Sequence, residues 1–244
     1  MKQNIYDDPK FLEGYRTLPR VGEGLKAAPE FGAFRSMFPE LKNLRVLDLG
    51  CGYGLLCDYM RQHGAASVVG VDLSTKMLEG ARREHADPHI TYINCAIEDA
   101  EFDPGSFDLV TSSLALHYVE RYDQVCANVA RWLVSGGTFA FSVEHPIVTA
   151  DPSGWCKDEQ GQKRHWAVDN YRAEGRRDMH WFIDGVIKYH RTLETYLGTL
   201  IDCGFSISRV LEPDAPAEFV RQRPELAEEA RRPLFLLIGA RRSA

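Results

Sequence analysis

Between residues 44 and 143 the chain alternates short apolar runs with amphipathic stretches. The apolar runs have the length and composition of strands buried on both faces, and they cover residues 44–49, 67–71, 89–93, 107–113 and 138–143. Helices are predicted between them, for example over residues 55–62 and after the capping residue Ser74. A further helix is expected to end at Gly136-Gly137. This alternation indicates a parallel sheet covered on both sides.

Two regions depart from this pattern. Residues 1–40 carry short helical pieces broken by prolines, and we expect them to form a helical cap. Residues 145–190 show little helix periodicity but contain three of the four tryptophans, so they are predicted to be an inserted lid or substrate region. Residues 205–211 and 234–240 are predicted as the last two strands. The interpretation is one domain over residues 1–244.

Composition narrows the class of protein. The net charge of −6 argues against nucleic acid as a partner. No apolar run approaches the roughly 20 residues that span a bilayer, and the first residues lack the apolar core of a signal peptide. The six cysteines form no C-x-x-C pair, which is typical of reduced thiols and not of a metal site. We therefore expect a cytoplasmic protein with no metal and no membrane partner.

The turn after the first strand is the main candidate for ligand binding. Asp48 is followed by glycines at positions 50, 52 and 54, which permit positive φ and let a ligand lie against bare backbone. Asp72 ends the second strand 22 residues after Gly50, close to the spacing of about 20 for an acid that binds ribose hydroxyls. The plainer alternative is a tight turn that only packs well. The added acids favour a nucleoside-type ligand.

The same turn argues against dinucleotides. Leu55 stands where the G-x-G-x-x-G pattern requires its third glycine, and an acid at position 48 would repel a pyrophosphate. The chain also lacks G-x-x-x-x-G-K-[ST], the phosphate-binding loop. A ligand without phosphates and with a cationic amino acid end fits the charges better, and S-adenosylmethionine is such a ligand.

Residues 46–54, 69–74, 107–110 and 136–138 together resemble class I S-adenosylmethionine-dependent methyltransferases. Within that class the chain is similar to the small-molecule subgroup called methyltransferase type 11. The resemblance covers residues 44–143. It implies an α/β, Rossmann-like fold: a seven-stranded, mostly parallel sheet with a reversed last hairpin, helices on both faces and here an aromatic-rich insertion after strand five. It also implies S-adenosylmethionine as cofactor and S-adenosylhomocysteine as product.

The resemblance further implies roles for individual residues. The glycine loop would hold the methionine part of the cofactor, with Asp48 near its amino group through water or backbone, and Asp72 would accept both ribose hydroxyls. The remaining implied contacts with the cofactor are Cys51, Leu73, Met77, Ala96, Ile97, Glu98, Ser112 and Ser113. Many relatives have an aspartate where this chain has Ala96, so Glu98 or backbone groups must serve the adenine edge.

Methyl transfer from a sulfonium needs alignment of two reactants, and a general base only where the acceptor loses a proton. His117 and His145 follow strands four and five, at the edge where open α/β sheets bind ligands, and are the candidate catalytic bases. His117 could instead pack beside the cofactor. The candidates for contact with the acceptor are Tyr15, Glu144, His145, Trp166, Trp181, His190 and Arg191.

Several alternatives stay open at this point. We expect methyl transfer to a small-molecule acceptor at O, N or C. Methylation of a protein side chain and a non-catalytic cofactor-binding subunit are the main rivals. Residues 111–114 lack the N/D-P-P-Y signature of adenine and glutamine methylases, and the missing third glycine argues against a nicotinamide-dependent oxidoreductase. The aromatic insertion could also pack on a second subunit, so a homodimer is open and the sequence leaves the oligomeric state unknown.

Overall fold

A computed structural model describes residues 2–243, and a seven-stranded sheet forms its centre. The strands in this part of the chain are β1 (Arg45–Leu49), β2 (Ser67–Asp72), β3 (Ile90–Asn94), β4 (Phe107–Ser113), β5 (Leu133–Glu144), β6 (Trp155–Lys157), β7 (Lys163–Trp166), β8 (Gly175–Trp181), β9 (Ile183–His190), β10 (Phe205–Leu211) and β11 (Phe235–Arg242). The central sheet has the order β10-β11-β5-β4-β1-β2-β3. Its strands pair in parallel except β11, which runs antiparallel to both β5 and β10. The predicted sheet with a reversed last hairpin is confirmed.

Helices cover both faces of this sheet. They are α1 (Pro9–Arg16), α2 (Pro19–Gly22), α3 (Phe31–Arg35), α4 (Leu55–Gln62), α5 (Thr75–Glu84), α6 (Tyr122–Trp132), α7 (Pro146–Ala150), α8 (Leu193–Asp202) and α9 (Ala217–Gln222). Short 3-10 turns occur at Ile5–Asp7, Leu25–Ala27, Ile97–Asp99, Leu116–Tyr118 and Pro224–Arg231. Among residues 2–243, no helix has both the length and the apolar composition needed to cross a membrane.

The core lies in two layers, one on each face of the sheet. Successive side chains of β1 point to opposite faces, so Leu47 and Leu49 join one cluster while Val46 joins the other. The first cluster is built around Trp132 and the second around Met60, both fully buried. Each such side chain contributes about 1.5–3 kcal/mol through its removal from water. This packing fixes the strand ends that carry the site.

The structure corrects one predicted boundary. The helix expected to reach Gly136-Gly137 ends at Trp132, and β5 begins at the next residue and runs through both glycines. Leu133 is fully buried and pairs with Phe107 of β4, after which the register shifts. Gly136 has a φ of 74°, which accommodates that irregularity within the strand.

The prolines of the first 40 residues also differ from expectation. Pro9 and Pro19 begin α1 and α2 and do not break a helix. A proline at the first helical position costs no hydrogen bond, because the amide there has no partner within the helix. Asp8 completes the start of α1 by accepting hydrogen bonds from the amides of Lys10 and Phe11.

The region after β5 contains α7 and two small antiparallel sheets, β6–β7 and β8–β9. Trp155 and Trp166 meet edge to face across the first hairpin, with ring centroids 5.4 Å apart. Trp181 ends β8 and packs edge to face on Phe11 of α1 at 5.3 Å. The insertion therefore contacts the N-terminal helices. Its function as a lid stays a prediction.

Candidate active site

Two cavities lie where β1, β2, β4 and β5 end. The larger has a volume of about 400 Å³ and the smaller one of about 280 Å³. Five residues line both cavities: Tyr6, Gly50, Asp72, Ala115 and Tyr118. The two spaces therefore meet at the glycine loop and the end of β2.

The glycine loop is held against β2 by its own backbone. The amides of Gly50 and Cys51 donate to the carbonyl oxygen of Val71 at 2.8 and 3.0 Å. Gly50 and Gly52 have φ values of 76° and 53°, which favour glycine. A Cβ at Gly50 would overlap the methyl group of Ala115, whereas a Cβ at Gly52 would meet no atom within 4 Å. The loop is thus packed on one side and open on the other.

Asp72 supports this loop and faces both cavities. Its Oδ2 accepts from the amide of Gly52 at 2.8 Å, and its Oδ1 accepts from the amide of Ser74 at 2.8 Å. Burial raises the pKa of this carboxyl, and the two amides offset part of that rise. An ionised carboxylate offers about four lone-pair sites, so acceptor capacity is left for two further donors.

The N-terminal segment crosses over the site, and sequence reasoning did not find these contacts. Asp7 accepts from the hydroxyl of Ser74 at 2.6 Å, next to the end of β2. Gln3 joins the same segment to β9: its amide nitrogen donates to Gly185 O at 2.7 Å and its Oε1 accepts from Ile187 N at 2.8 Å. Short polar side chains near a chain end carry no pattern that predicts such distant partners.

The predicted cofactor residues divide between the two cavities. Leu73, Ala96, Ile97 and Glu98 line the smaller one, while Met77, Ser113 and Gly52 line the larger one. Cys51, Gly54 and Ser112 line neither. The hydroxyl of Ser112 instead donates to the carbonyl oxygen of Leu49 at 2.8 Å within the sheet.

The side chain of Asp48 lies inside the sheet. It is buried and lines neither cavity. Oδ1 accepts from the Thr111 hydroxyl at 2.9 Å and Oδ2 from the Cys57 thiol at 3.6 Å. Burial raises the pKa of this carboxyl to about 7, only partly offset by those two donors. The side chain of Asp48 thus points into the sheet interior, and its place near the ligand's amino group through water or backbone stays a prediction.

His145, a predicted base, also lies away from both cavities. Its Nδ1 accepts from the amide of Ile147 and so caps α7, and its Nε2 lies 2.7 Å from Glu212 Oε1. Burial lowers the pKa of the imidazole, and Glu212 opposes that shift. Both ring nitrogens are occupied in holding the start of α7 against the chain before α9. This corrects the expectation of a side chain that faces the acceptor.

His190 and Arg191 are likewise structural in this geometry and line neither cavity. The ring of His190 is buried, with Nδ1 2.8 Å from the Thr149 hydroxyl and Nε2 2.8 Å from Tyr171 O. The guanidinium of Arg191 donates to the carbonyl oxygens of Val119 and Glu120. These contacts fix the end of β9, so the predicted contact of both residues with an acceptor is corrected.

Trp166 and Trp181 lie in different positions relative to the two cavities. Trp166 lines neither cavity, and its indole donates to the carbonyl oxygen of Ile147 at 3.0 Å. The Arg232 guanidinium lies 3.9 Å from its ring centroid, a cation–π contact. Trp181 lines the larger cavity together with Tyr15, and the contact of both with the acceptor stays a prediction.

His117 and Glu144 also line the larger cavity. Leu114, just before the turn that carries His117, has a φ of 54°, a strained value for leucine. The amide of Glu144 donates to Nδ1 of His117 at 3.3 Å. Glu144 Oε1 accepts from Lys188 Nζ at 2.6 Å, while its Oε2 is buried without a hydrogen-bond partner among the described residues.

The comparisons with known proteins identify the family. A family model, "Methyltransferase domain", matches residues 47–141. The solved structure of an S-adenosylmethionine-dependent methyltransferase from Mesorhizobium loti is 46% identical, covers 90% of this chain and 100% of that one, and superposes with a TM-score of 0.84. The chain belongs to the S-adenosylmethionine-dependent methyltransferases.

Two curated relatives extend this finding. A protein of Haemophilus influenzae is 35% identical over 249 residues, which is 99% of this chain and 98% of that protein. Ubiquinone biosynthesis O-methyltransferase of Paracidovorax citrulli is 42% identical over 106 residues, which is 42% of this chain and 44% of that enzyme. The methyltransferase thus matches the Haemophilus influenzae protein over nearly its whole length and the Paracidovorax citrulli enzyme over less than half.

The residues of this methyltransferase fit its cofactor, S-adenosylmethionine. Gly52 leaves open space where a side chain would otherwise stand, and Asp72 retains acceptor capacity beside it. That combination suits a ligand with vicinal hydroxyls and a chain that lies along bare backbone. Among residues 2–243, no group of three or more His, Cys, Asp or Glu could hold a metal ion.

Proposed function

We propose that this methyltransferase transfers the methyl group of S-adenosylmethionine to a small-molecule acceptor in the larger cavity. The observation that carries this proposal is the shared wall of the two cavities at Gly50 and Asp72. A space of about 400 Å³ lies within the range of roughly 300–1,000 Å³ that is typical of small-molecule sites. One space would hold the nucleoside and the other would admit the acceptor.

The cofactor roles follow from this arrangement. Asp72 would accept both ribose hydroxyls, and Leu73 with residues 96–98 would surround the adenine in the smaller cavity. Gly50 and Gly52 would carry the methionine part, with Ser113 at the end of β4 beside it. When bound there, S-adenosylmethionine supplies a methyl group activated by the positive sulfonium. The protein's own contribution is to align the acceptor and exclude water.

The wall of the larger cavity comes from three separate parts of the chain. Tyr6 and Tyr15 belong to the N-terminal segment, Trp181 to the insertion and Phe235 to the start of β11. In the proposal the N-terminal segment and the insertion form a lid over the acceptor. A concave wall with several aromatic side chains suits a small molecule with an apolar part. The name of the Paracidovorax citrulli relative, an O-methyltransferase, supports the same class.

Binding of S-adenosylhomocysteine tests the cofactor half of the proposal. Calorimetric titration is expected to show binding by the unchanged protein, and Asp72→Ala is expected to weaken it about 100-fold or more, since two hydrogen bonds to a charged group are lost. Asp123→Ala is the matched control, because Asp123 is exposed, pairs with Arg121 and lines neither cavity. The affinity of Asp123→Ala for S-adenosylhomocysteine should stay within about twofold of that of the unchanged protein. No binding by the unchanged protein would refute the proposal.

The acceptor half is tested by following the methyl group. The protein is incubated with radiolabelled S-adenosylmethionine and a cell extract separated into small molecules and macromolecules. Label in the small-molecule fraction is expected, and it should disappear with Asp72→Ala. Label that appears only on protein or nucleic acid would overturn the assignment of a small-molecule acceptor.

A further inference from the structure

The position of the proton on His117 follows from its contacts. His117 lies on the 3-10 turn after β4, is 2% exposed and lines the larger cavity. Its Nδ1 accepts from the amide of Glu144 at 3.3 Å. A ring nitrogen that accepts carries no proton, so the neutral imidazole has its proton on Nε2. Nε2 has no hydrogen-bond partner among residues 2–243, which leaves it as the ring nitrogen available to the cavity.

The charges around this ring sum to one positive charge. The charged groups that act on His117 are Glu144, Lys188 and Arg191. The Lys188 ammonium lies 2.6 Å from Glu144 Oε1 and neutralises that carboxylate. The Arg191 guanidinium donates to carbonyl oxygens and pairs with no carboxylate within 4 Å in the described part of the chain. The hydroxyls of Tyr6 and Tyr118 complete the surroundings and are 3.4 Å apart.

His117 and the titratable groups beside it accept protons poorly at neutral pH. Burial lowers the pKa of His117 to about 4. Burial alone would raise the pKa of Glu144, but the nearby His117 and Lys188 outweigh it and the pKa lies below its ordinary value. Burial raises the pKa of the Tyr6 and Tyr118 phenols, which therefore stay protonated. In addition, Oε2 of Glu144 is fully buried, so an acceptor in the cavity cannot reach it in this geometry.

Resting on the proposed function, we infer that His117 donates a hydrogen bond from Nε2 to the reacting atom of the acceptor, and that this atom is an anionic oxygen of a carboxylate or a phenolate. The oxygen forms a bond to the methyl carbon while the carbon–sulfur bond breaks, and the electron pair of that bond stays on sulfur. One negative and one positive charge are consumed, and the products are a neutral ester or ether and a neutral thioether. No proton has to leave.

Other acceptor classes fit these groups less well. An ammonium group would bring a hydrogen toward the Nε2 proton and a positive charge toward a ring whose neighbouring charges sum to one positive charge. A neutral alcohol would have to lose a proton to a base, and the groups named above accept protons poorly at neutral pH. An anionic oxygen accepts the Nε2 proton in a hydrogen bond and is attracted by the surrounding charge.

The protonation state of His117 can be tested without an acceptor. Nitrogen NMR of protein labelled with ¹⁵N-histidine should include the resonances of a neutral ring with its proton on Nε2, which does not titrate between about pH 5.5 and 8. The same resonances should be absent from His117→Gln, which assigns them. A proton on Nδ1, or titration of this ring within that range, would overturn the inference.

The acceptor class is tested with four small probes of one ring size. Benzoate, 4-nitrophenolate, benzyl alcohol and benzylamine are titrated at about pH 8 into protein saturated with S-adenosylhomocysteine. At least one of the two anions is expected to bind about tenfold more tightly than the alcohol or the amine. Benzoate and 4-nitrophenolate separate a carboxylate acceptor from a phenolate. Equal affinities, a preference for the amine, or no binding of any probe would each contradict the inference.

Two variants tie that preference to His117. His117→Gln retains an N–H donor near the position of Nε2 and is expected to keep the preference within about threefold, whereas His117→Leu should lose it. His63→Leu, at an exposed histidine that lines neither cavity, is the control. A preference that survives in His117→Leu would show that a group other than His117 holds the anion. Affinity for S-adenosylhomocysteine is measured in parallel, so failure of cofactor binding is seen separately from failure of the acceptor class.

Discussion

The two sides of the site are built differently. The cofactor side is made of the glycine loop and Asp72, which are close in sequence and joined by backbone amides. The acceptor side is made of Tyr15, Trp181 and His117, which lie on three elements far apart in the chain and meet through side-chain packing. The cofactor side therefore depends on the backbone geometry of one short loop. The acceptor side depends on how side chains from distant segments pack together.

The largest expected effect is on the packed face of the glycine loop. Gly50→Ala should lower the free energy of unfolding by about 4 kcal/mol, because its Cβ overlaps the methyl group of Ala115 and the residue has a positive φ. Gly52→Ala should cost only about 1 kcal/mol, since its Cβ meets open space, yet it should also lose S-adenosylhomocysteine. Urea unfolding measures the free energy of unfolding, and calorimetric titration measures the affinity for S-adenosylhomocysteine. Equal stability of the two variants would show that the packed face is not rigid.

The next largest effect is expected at Asp48, a buried carboxyl of the cofactor side that contributes to stability and does not line either cavity. The folded-state pKa of Asp48, about 7, is raised, so its contribution to stability is present below about pH 4 and is lost as the pH rises through about 7. This loss is as much as about 4 kcal/mol. Asp48→Asn should abolish that part of the pH dependence in unfolding measured between about pH 4 and 8, while cofactor affinity is kept.

Asp108 is the control, because its contribution to stability changes with pH in the opposite direction. Its hydrogen bonds with Arg45 hold the pKa of this carboxyl below its ordinary value, so its contribution is present above the unfolded-state pKa and is lost in acid. The free energy of unfolding of Asp108→Asn should therefore approach that of the unchanged protein as the pH falls. A common pH response of the two variants would disprove the assignment of Asp48.

Two tryptophans of the insertion test the acceptor side. Trp181→Ala and Trp166→Ala should each lower the free energy of unfolding by about 3 kcal/mol through lost packing. Only Trp181 lines the larger cavity, so only its removal should weaken benzoate binding, by about tenfold. Affinity for S-adenosylhomocysteine should change by less than about threefold in both. Loss of benzoate binding in Trp166→Ala would mean that the whole insertion shapes the cavity.

The smallest expected effect is at the contact between the N-terminal segment and the insertion. Gln3→Ala removes two exposed hydrogen bonds to β9 and should cost about 1 kcal/mol or less. Stopped-flow dissociation of S-adenosylhomocysteine should become a few times faster, because the segment over the site is held less firmly. Gln160→Ala, in an exposed turn of the insertion, should leave that rate unchanged. An unchanged rate in Gln3→Ala would remove this contact from the lid.

Much of the fold follows from local pattern. The strands of the sheet lie within two residues of their predicted ranges, except at β5. There the pattern could not separate the end of a helix from the start of a strand, because Trp132 and Leu133 are both apolar and fully buried. Only the pairing of Leu133 with Phe107 of β4 decides the boundary.

The residues of the candidate site also differ in whether local sequence could identify them. Gly50, Gly52 and Asp72 could be chosen from sequence because their spacing is set by one strand–turn–helix unit and the adjacent strand. His117 and His145 could not be told apart, since each follows a strand that ends at the same edge of the sheet. The structure separates them: His145 is held by Ile147 and Glu212, whereas His117 keeps one ring nitrogen free for the cavity.

The sequence by itself determined the family, the order of strands and helices and the loop that suits the cofactor, because each of these depends on residues near one another in the chain. Only the tertiary structure decided that Asp48 points into the sheet and that Tyr6, Trp181 and His117 share one wall. The physical reason is that burial, hydrogen-bond partners and pKa depend on what packs against a side chain. Those neighbours come from segments whose distance in sequence carries no local signal.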